Sequence, residues 1–207
     1  MLIRRSILLL VVALSLSAFA FADPMTVSMT FLYPGSNNMG GFYTYPYYFS
    51  INGGQPTAMM CDAFNNRITQ GESWTANVTG LLAGKGMFGK NVLDYKAAGL
   101  IFLGVTSGAI DANIGNWALW NLFTSGITTN PQVLALDKQE LFLAKHTGDR
   151  YFKGLVLYTA VGSKPGVGPQ EFIGRGTAST PEPESLLLLS TGLICIAVVV
   201  RRKLVHP

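Results

Sequence analysis

The first part of the chain has the hydrophobic pattern of strands. From Met25 to about Thr79 the residues are rich in Thr, Tyr, Phe and Val, and turn-forming residues interrupt them at 34–38 and 52–54. β-branched and aromatic residues favour strands, whereas Gly, Pro and Asn favour turns. This part therefore predicts a β-rich sheet, in which residues 73–79 form the last strand.

Apolar residues recur at helical spacing in the middle of the chain. This spacing predicts helices over residues 91–103 and 113–123. A third helix is predicted from Asn130, a good N-cap followed by proline, to about His146. Residues 155–161 then predict a closing strand. The expected fold is α+β, with an N-terminal β-rich sheet, two to three central helices and a closing strand.

The N-terminus has the three parts of a secretory signal. Arg4 and Arg5 precede an apolar run over residues 7–16, and Ala20-Phe21-Ala22 supplies small residues for cleavage. We predict a signal peptide over residues 1–22, cleaved after Ala22 or alternatively after Ala20. An uncleaved membrane helix is the other interpretation, but the apolar run is short and a polar segment comes directly after it.

The C-terminus has the layout of a short membrane span. Fifteen uncharged residues from Leu186 to Val200 precede the cations Arg201, Arg202 and Lys203. As a helix they would cover roughly 22 Å, so the flanking cations would have to reach the interface. We predict a single transmembrane helix over 186–200, although a buried core helix has a similar composition. Cations stay on the cytoplasmic side, so the body would lie on the periplasmic side.

A proline-rich motif precedes this span. Pro181-Glu182-Pro183, the apolar segment and the basic cluster together resemble the PEP-CTERM sorting signal of Gram-negative bacteria, over residues 181–207. The resemblance implies that an exosortase-type membrane enzyme recognises the Pro-Glu-Pro segment and removes the tail. Signal peptidase and the secretion machinery would be earlier partners. The expected destination is the cell surface or the extracellular matrix, after transit through the inner membrane.

One domain is expected between the two signals. Residues 23–173 would form the exported body and 174–180 a linker, since glycine and small polar residues favour a flexible stalk. The chain carries a formal charge of +4, but residues 23–180 contain ten basic and nine acidic residues. A body this close to neutral cannot neutralise many phosphates, so nucleic acid is excluded as the main partner.

Few residues suggest catalysis, a metal or a cofactor. The two histidines are His146, at the end of the third predicted helix, and His206 in the tail. That scarcity argues against a His-rich zinc site and against a Ser-His-Asp triad. The Gly-x-Gly-x-x-Gly string at 84–89 lacks the preceding parallel strand that a dinucleotide site requires. We expect no catalytic residue, no metal ligand and no cofactor.

Cys61 is the one cysteine of the exported body, because Cys195 lies in the predicted span. The order of Met60-Cys61-Asp62, the Trp74 region, the Tyr95 region and Asn116-Trp117-Ala118 resembles that of PEP-CTERM surface proteins and, more remotely, bacterial thioester adhesin domains. The adhesin resemblance implies a thioester between Cys61 and residue 116. In those adhesins the second position is glutamine, and the shorter side chain of Asn116 leads us to expect a buried thiol instead.

The sequence favours a non-enzymatic exported protein whose body is a binding or structural module, with extracellular polysaccharide as an expected partner. One alternative is a covalent adhesin acting through Cys61. Another is a glycan-active enzyme using a carboxylate pair drawn from Asp62, Glu72, Asp94 and Asp111. Crowded tyrosines are open to two interpretations, as a stacking surface for sugar rings or as ordinary strand residues; they are Tyr43, Tyr45, Tyr47 and Tyr48.

Overall fold

The structure is a computed structural model that describes residues 25–176. Several predicted features lie outside the described residues. These are the signal peptide at 1–22, most of the linker, the Pro181-Glu182-Pro183 motif, the transmembrane helix at 186–200 and the cations Arg201, Arg202 and Lys203.

Within residues 25–176, strands come first, helices come next and two strands close the fold, which confirms the α+β class. The strands are β1 (Met25–Pro34), β2 (Asn38–Met39), β3 (Phe42–Tyr43), β4 (Tyr47–Ile51), β5 (Thr57–Cys61), β6 (Ser73–Gly80), β7 (Leu155–Ala160) and β8 (Phe172–Arg175). The helices are α1 (Val92–Thr106), α2 (Ala112–Phe123), α3 (Pro131–His146) and a 3-10 helix (Asp149–Phe152).

Six strands close into a small barrel in the order β1-β4-β5-β8-β7-β6. The long strand β1 pairs antiparallel with two neighbours, so that Met29 lies opposite Ile51 of β4 and Trp74 of β6. Alternate residues of β1, Val27 and Met29, are buried, because a strand directs successive side chains to opposite faces. The sequence predicts a sheet but not its closure.

β2 and β3 form a separate hairpin, in which Asn38 pairs with Tyr43 and Met39 with Phe42. Its two-residue turn consists of Gly40 at φ 64° and Gly41 at φ 84°. A tight hairpin turn of this kind requires positive φ at both positions, where side chains other than glycine are strained. The turn thus places Phe42 and Tyr43 beside the body of the domain.

Side-chain caps mark the starts of the second and third helices, and the cap of the third is the predicted one. Asp111 accepts hydrogen bonds from the backbone N–H groups of Asn113 and Ile114 at the start of α2, and Asn130 accepts one from Gln132 at the start of α3. α2 packs closely on α1 because residue 115 is glycine. A Cβ added there would lie 2.4 Å from a methyl group of Val105. No helix in residues 25–176 has both the length and the apolar character needed to cross a membrane.

The closing strand predicted at 155–161 is β7, and a further strand, β8, comes after it. β8 pairs antiparallel with β5, so that Phe172 lies opposite Cys61 and Ile173 opposite Met60. Four residues after a Pro/Gly loop carry too little pattern to predict a strand. β8 includes Gly174 and Arg175, which the sequence predicts as part of the linker.

Candidate functional site: an aromatic cleft beside a sealed polar cluster

A cleft of about 440 Å³ opens beside the β2-β3 hairpin. The hairpin contributes one part of its wall, the segment after β5 another and α2 a third. Its volume is within the range of small-ligand sites, which are mostly apolar with a few polar groups. The cleft is lined by Phe31, Pro34, Gly41, Phe42, Tyr43, Tyr47, Phe64, Arg67, Ile68, Thr69, Gln70, Trp120 and Gln170.

Aromatic rings form much of the cleft. Phe42 and Phe64 have ring centroids 5.2 Å apart, and Phe64 lies 5.3 Å from Trp120. Trp120 is buried beneath them, whereas Tyr43 has 53% of its surface exposed at the rim. A supported ring with an open face offers apolar contact area at little cost in side-chain entropy, which is why such rings recur in binding sites.

Arg67 is the charged residue of the cleft lining, and it is held in place. Its Nη1 donates to the backbone oxygens of Phe64 at 2.8 Å and of Asn66 at 3.2 Å. The guanidinium carbon also lies 5.8 Å from the centre of the Phe42 ring and 6.0 Å from that of Phe64. These contacts fix a cation over two aromatic faces at the mouth of the cleft.

The four crowded tyrosines were predicted to be either a stacking surface for sugar rings or ordinary strand residues, and the structure divides them between the two. Tyr43 lines the cleft and is exposed. Tyr47 is buried in the cleft wall, and its hydroxyl donates to the backbone oxygen of Tyr43. Tyr48 packs on Tyr33 of β1 at 4.9 Å, and the Tyr45 ring meets Phe102 at 6.4 Å. The stacking interpretation therefore fits Tyr43, while the other three serve mainly in packing.

Behind the cleft lies a second group of residues, here named the sealed cluster. Each member has 8% or less of its surface exposed. Three sit on strands or directly after one, two on helices and one directly before a strand. The members are Cys61 of β5 and the following Asp62, Tyr95 of α1, Asn116 of α2, Thr159 of β7, and Glu171, which precedes β8.

Cys61 is fully buried in this cluster. Its thiol donates weakly to the backbone oxygen of Ala63 at 3.7 Å. Burial raises the pKa of the thiol far above its usual value, the neighbouring Asp62 carboxyl group raises it further, and the Trp120 side chain lowers it in part. Because the thiolate is the nucleophilic form, a thiol in this setting is unreactive.

Asn116 lies against Cys61, but through the backbone of that residue. Its Nδ2 donates to the Cys61 carbonyl oxygen at 3.0 Å, and its Oδ1 accepts from the backbone N–H of Tyr45 at 2.8 Å. Both ends of the carboxamide are thus engaged in joining α2 to two segments of the barrel. The structure brings together the two residues that the sequence pairs, in an arrangement where Asn116 is a buried structural bridge.

Asp62 and Glu171 form a buried carboxyl pair. Glu171 accepts hydrogen bonds from Met87 N and Tyr95 Oη, both at 2.7 Å, and from the Thr159 hydroxyl. By contrast, no described donor is in hydrogen-bonding geometry to either oxygen of Asp62. Burial raises the pKa of Asp62 well above its usual range, and the adjacent charge and hydrogen-bonding contact of Glu171 raise it further. The raised pKa favours the protonated, uncharged form of Asp62 beside the Glu171 carboxyl group.

The glycine string at 84–89 covers this pair. It comes after β6, which pairs antiparallel with both β1 and β7, so the parallel strand of a dinucleotide site does not precede it. The backbone N–H of Met87 reaches Glu171. A Cβ added to Gly86 would lie 2.2 Å from the Tyr95 hydroxyl, so glycine permits this close approach.

The other carboxylates considered for a glycan-active enzyme make local contacts. Glu72 accepts from the backbone N–H of Thr69, Asp94 accepts from the Asn91 side chain and Asp111 caps α2. His146 ends α3, as predicted, and its Nδ1 lies 2.9 Å from the Phe142 carbonyl oxygen. In residues 25–176 no group of three His, Cys, Asp or Glu side chains is arranged to hold a metal ion.

Several contributors to these two regions were not predicted as site residues from the sequence. Among them are Phe42, Phe64 and Arg67 of the cleft and Thr159 and Glu171 of the sealed cluster. Phe64 and Arg67 lie three and six positions beyond Cys61, so proximity to the unusual cysteine was a usable signal. Phe42 reaches its site through the β2-β3 hairpin, for which Gly40-Gly41 was a usable local signal. Glu171 reaches its site through the pairing of β8 with β5, for which the sequence offers no local pattern.

Comparison with known proteins identifies the tail. Residues 179–203 match the PEP-CTERM protein-sorting motif. The match includes Pro181-Glu182-Pro183 and the basic cluster, and it confirms the resemblance drawn from the sequence. A PEP-CTERM motif indicates export and sorting to the cell surface by an exosortase, a membrane enzyme. No curated protein matches the chain.

Two solved structures are similar to this chain at low identity. One is the N-terminal thioester domain of a surface protein from Clostridium perfringens, with 15% identity and a TM-score of 0.45, covering 72% of this chain and 98% of that one. The other is the N-terminal domain of the Streptococcus pyogenes pilus tip adhesin Cpa, with 12% identity and a TM-score of 0.40, covering 76% and 96%.

Proposed function

We propose that the protein is a non-enzymatic glycan-binding module of the cell surface or exopolysaccharide matrix. Its C-terminal tail directs sorting, and the cleft holds the sugar without a covalent bond. The signal peptide and the membrane span act only in transit, the span holding the body on the periplasmic side of the inner membrane until the tail is removed. The body then works at the surface or in the matrix of a biofilm.

The cleft is the observation that carries this proposal. Tyr43 lines the cleft together with Phe42 and Phe64 and has 53% of its surface exposed, and Thr69 and Gln70 add polar groups to the same lining. Sugar rings have apolar C–H faces and polar edges, so stacking on an aromatic ring combined with hydrogen bonds at the rim suits them. The volume of about 440 Å³ accommodates one or two sugar units.

The sealed cluster supports binding over chemistry. Cys61, Asp62 and Glu171 are each 0% exposed, so a substrate has no access to the thiol or to the carboxyl pair. Enzymes that hydrolyse glycosides hold their two carboxyl groups on either side of the bond to be cleaved, in an open site. A glycan-active enzyme built on Asp62 would require the barrel to open.

Calorimetric titration with oligosaccharides tests the binding proposal. We expect at least one oligosaccharide to bind with an affinity that Tyr43→Ala reduces about tenfold, because that variant removes the exposed stacking face. The matched control is Tyr151→Ala, since Tyr151 is similarly exposed, at 59%, but does not line the cleft. Equal losses in the two variants would contradict a site in the cleft.

The sorting step is tested in cells. Replacing Pro181-Glu182-Pro183 with alanines is expected to leave an unprocessed form in the inner membrane, because the apolar span and its cations still stop transfer. Neutral residues at Arg201, Arg202 and Lys203 are expected to impair the orientation of the span instead. Immunoblots of membrane and released fractions distinguish these results. Unchanged release of the alanine variant would contradict processing by an exosortase.

A covalent adhesin is the second candidate, favoured by the contact between Cys61 and Asn116. Formation of a thioester would join Cys61 Sγ to the Asn116 side-chain carbonyl carbon and release ammonia. The purified protein would then be lighter by one ammonia, and added amines would attach to it. We expect the full mass, because the Asn116 carboxamide is occupied at both ends. A deficit of one ammonia that disappears in Cys61→Ser and Asn116→Ala would favour the adhesin.

A further inference from the structure

The charge of the cleft indicates which class of sugar it binds. This inference rests on the proposed glycan-binding function. Among the residues that line the cleft, Arg67 is charged and no aspartate or glutamate is present. Within residues 25–176, the ion pair between Lys96 and Asp149 does not involve Arg67. The cleft therefore carries a positive charge that no described carboxylate neutralises.

The guanidinium has an unused edge. Only Nη1 of Arg67 takes part in its hydrogen bonds within the described residues, to the oxygens of Phe64 and Asn66. Nη2 and Nε have no acceptor among those residues, while the side chain is exposed. An arginine presents two parallel N–H groups along such an edge, and their spacing matches the two oxygens of a carboxylate.

Arg67 is also positioned before any ligand arrives. Two backbone oxygens hold one side of the guanidinium, and the rings of Phe42 and Phe64 lie beneath it. A long side chain fixed in this way loses less conformational entropy on binding than a free one. Its position beside the stacking rings places a bound carboxylate next to a stacked sugar ring.

We infer that the cleft recognises an acidic sugar that carries its carboxylate on the ring, a uronic acid unit within a polysaccharide. The aromatic lining of the cleft, with the exposed Tyr43 at its rim, contacts the apolar face of the unit, and Arg67 pairs with its carboxylate. Thr69 and Gln70 are placed to bond hydroxyl groups at the rim. Neutral sugars retain the stacking contacts and lose the charged pair, so they bind more weakly.

The test compares matched pairs of oligosaccharides by calorimetry with the purified protein. Oligomers of glucuronate, galacturonate and mannuronate are each paired with the same oligomer after chemical reduction of its carboxyl groups. We expect at least one acidic oligomer to bind about tenfold more tightly than its reduced partner, as expected for one charged hydrogen-bonded pair. Added salt should reduce the preference, because the pair is at the surface.

Variants assign the preference to Arg67. Arg67→Gln is expected to remove the preference for the acidic oligomer, and Arg67→Lys to restore part of it. Arg150→Gln is the control, because Arg150 is exposed and does not line the cleft. Thermal unfolding checks that each variant is folded. A preference that survives Arg67→Gln would overturn the inference.

The remaining outcomes separate the acidic preference from the function on which it rests. Equal binding of acidic and reduced oligomers, weakened by Tyr43→Ala, would overturn the acidic preference and leave the glycan-binding function intact. Tighter binding of sulfated or phosphorylated oligosaccharides than of any uronate would also overturn it. If neither acidic nor neutral oligosaccharides bind, the proposed function itself fails.

Discussion

The cleft and the sealed cluster meet at Trp120 and Gln170, yet their chemistry is opposite. Trp120 lines the cleft, and its side chain also lowers the pKa of the Cys61 thiol in part. Gln170 lines the cleft as well, and it donates a hydrogen bond to the backbone oxygen of Ala63, which the thiol also contacts. On the open side are aromatic rings and a cation. On the closed side are a thiol, two carboxyl groups and their hydrogen-bond partners.

This difference teaches which groups are available to a ligand. The candidate nucleophile, Cys61, and the candidate acid pair, Asp62 and Glu171, are buried from solvent. The accessible residues are suited to stacking and charge pairing. Variants of the cluster should therefore change stability and leave binding intact, whereas variants of the cleft should do the reverse. Within the cluster, we expect the change in the free energy of unfolding to be largest at Glu171 and smallest at Cys61.

The largest effect is expected for Glu171→Ala. This change leaves the Met87 N–H, the Tyr95 hydroxyl and the Thr159 hydroxyl without their acceptor inside the barrel. Each unsatisfied buried group costs about 1–3 kcal/mol, so the free energy of unfolding should fall by about 3 kcal/mol or more. Urea unfolding at neutral pH measures the loss, and Glu72→Ala is the matched control. Similar losses in the two variants would contradict a central role for Glu171.

Asp62→Asn should stabilise the protein at neutral and alkaline pH. The folded pKa of Asp62 is raised, so the unfolded chain releases this proton at a lower pH than the folded protein does. The free energy of unfolding therefore decreases as pH rises above about 4, the usual value for aspartate, until the folded pKa is passed. Asparagine is neutral and can donate to Glu171, so we expect a gain of about 1–2 kcal/mol at pH 8.

Urea unfolding between about pH 4 and pH 9 tests this dependence. Asp137 also makes the free energy of unfolding depend on pH. Burial raises its pKa to about 6, and a hydrogen bond from Asn121 offsets part of the rise. Its contribution ends near that pH, so the slopes of wild type and Asp62→Asn should differ most clearly above it. Identical slopes throughout would show that Asp62 is not held protonated by Glu171.

Cys61→Ser should have a smaller effect, a loss of about 1 kcal/mol, which is typical of a poorly paired hydroxyl in a core. In the native wild-type protein the thiol should not react with a thiol reagent, and it should react once the protein is unfolded. Both expectations rest on the burial and the raised pKa of Cys61. Rapid labelling of the folded protein would contradict the sealed state of the cluster.

The sequence was sufficient for elements with local signals. Asn130 and Pro131 predicted the start of α3, and the strand-forming composition of residues 73–79 predicted β6, because caps and strand propensity depend on neighbours in the chain. The contact of Asn116 with Cys61 was anticipated through resemblance, although the bond made to the backbone was not. These features lie on one element or in one motif.

The features that the sequence did not predict depend on pairing between distant segments. Glu171 meets Asp62 only because β8 pairs with β5, and a strand of four residues gives no periodic signal. Arg67 lies over an aromatic ring only because the β2-β3 hairpin brings Phe42 to it. Closure of the barrel likewise depends on the pairing of β5 with β8 at one side and of β1 with β6 at the other. The burial of these side chains and the charges around them are set by the pairing of distant strands, so they cannot be predicted from local sequence.

The central claim is that the cleft binds sugar without covalent chemistry, and one titration series tests it most directly. Wild type, Tyr43→Ala and Cys61→Ser are titrated with the oligosaccharide that wild type binds most tightly. We predict that Tyr43→Ala loses about tenfold in affinity with its stability changed by less than about 0.5 kcal/mol, since Tyr43 is an exposed rim residue. For Cys61→Ser we predict wild-type affinity. Loss of binding in Cys61→Ser, with binding retained in Tyr43→Ala, would contradict the claim.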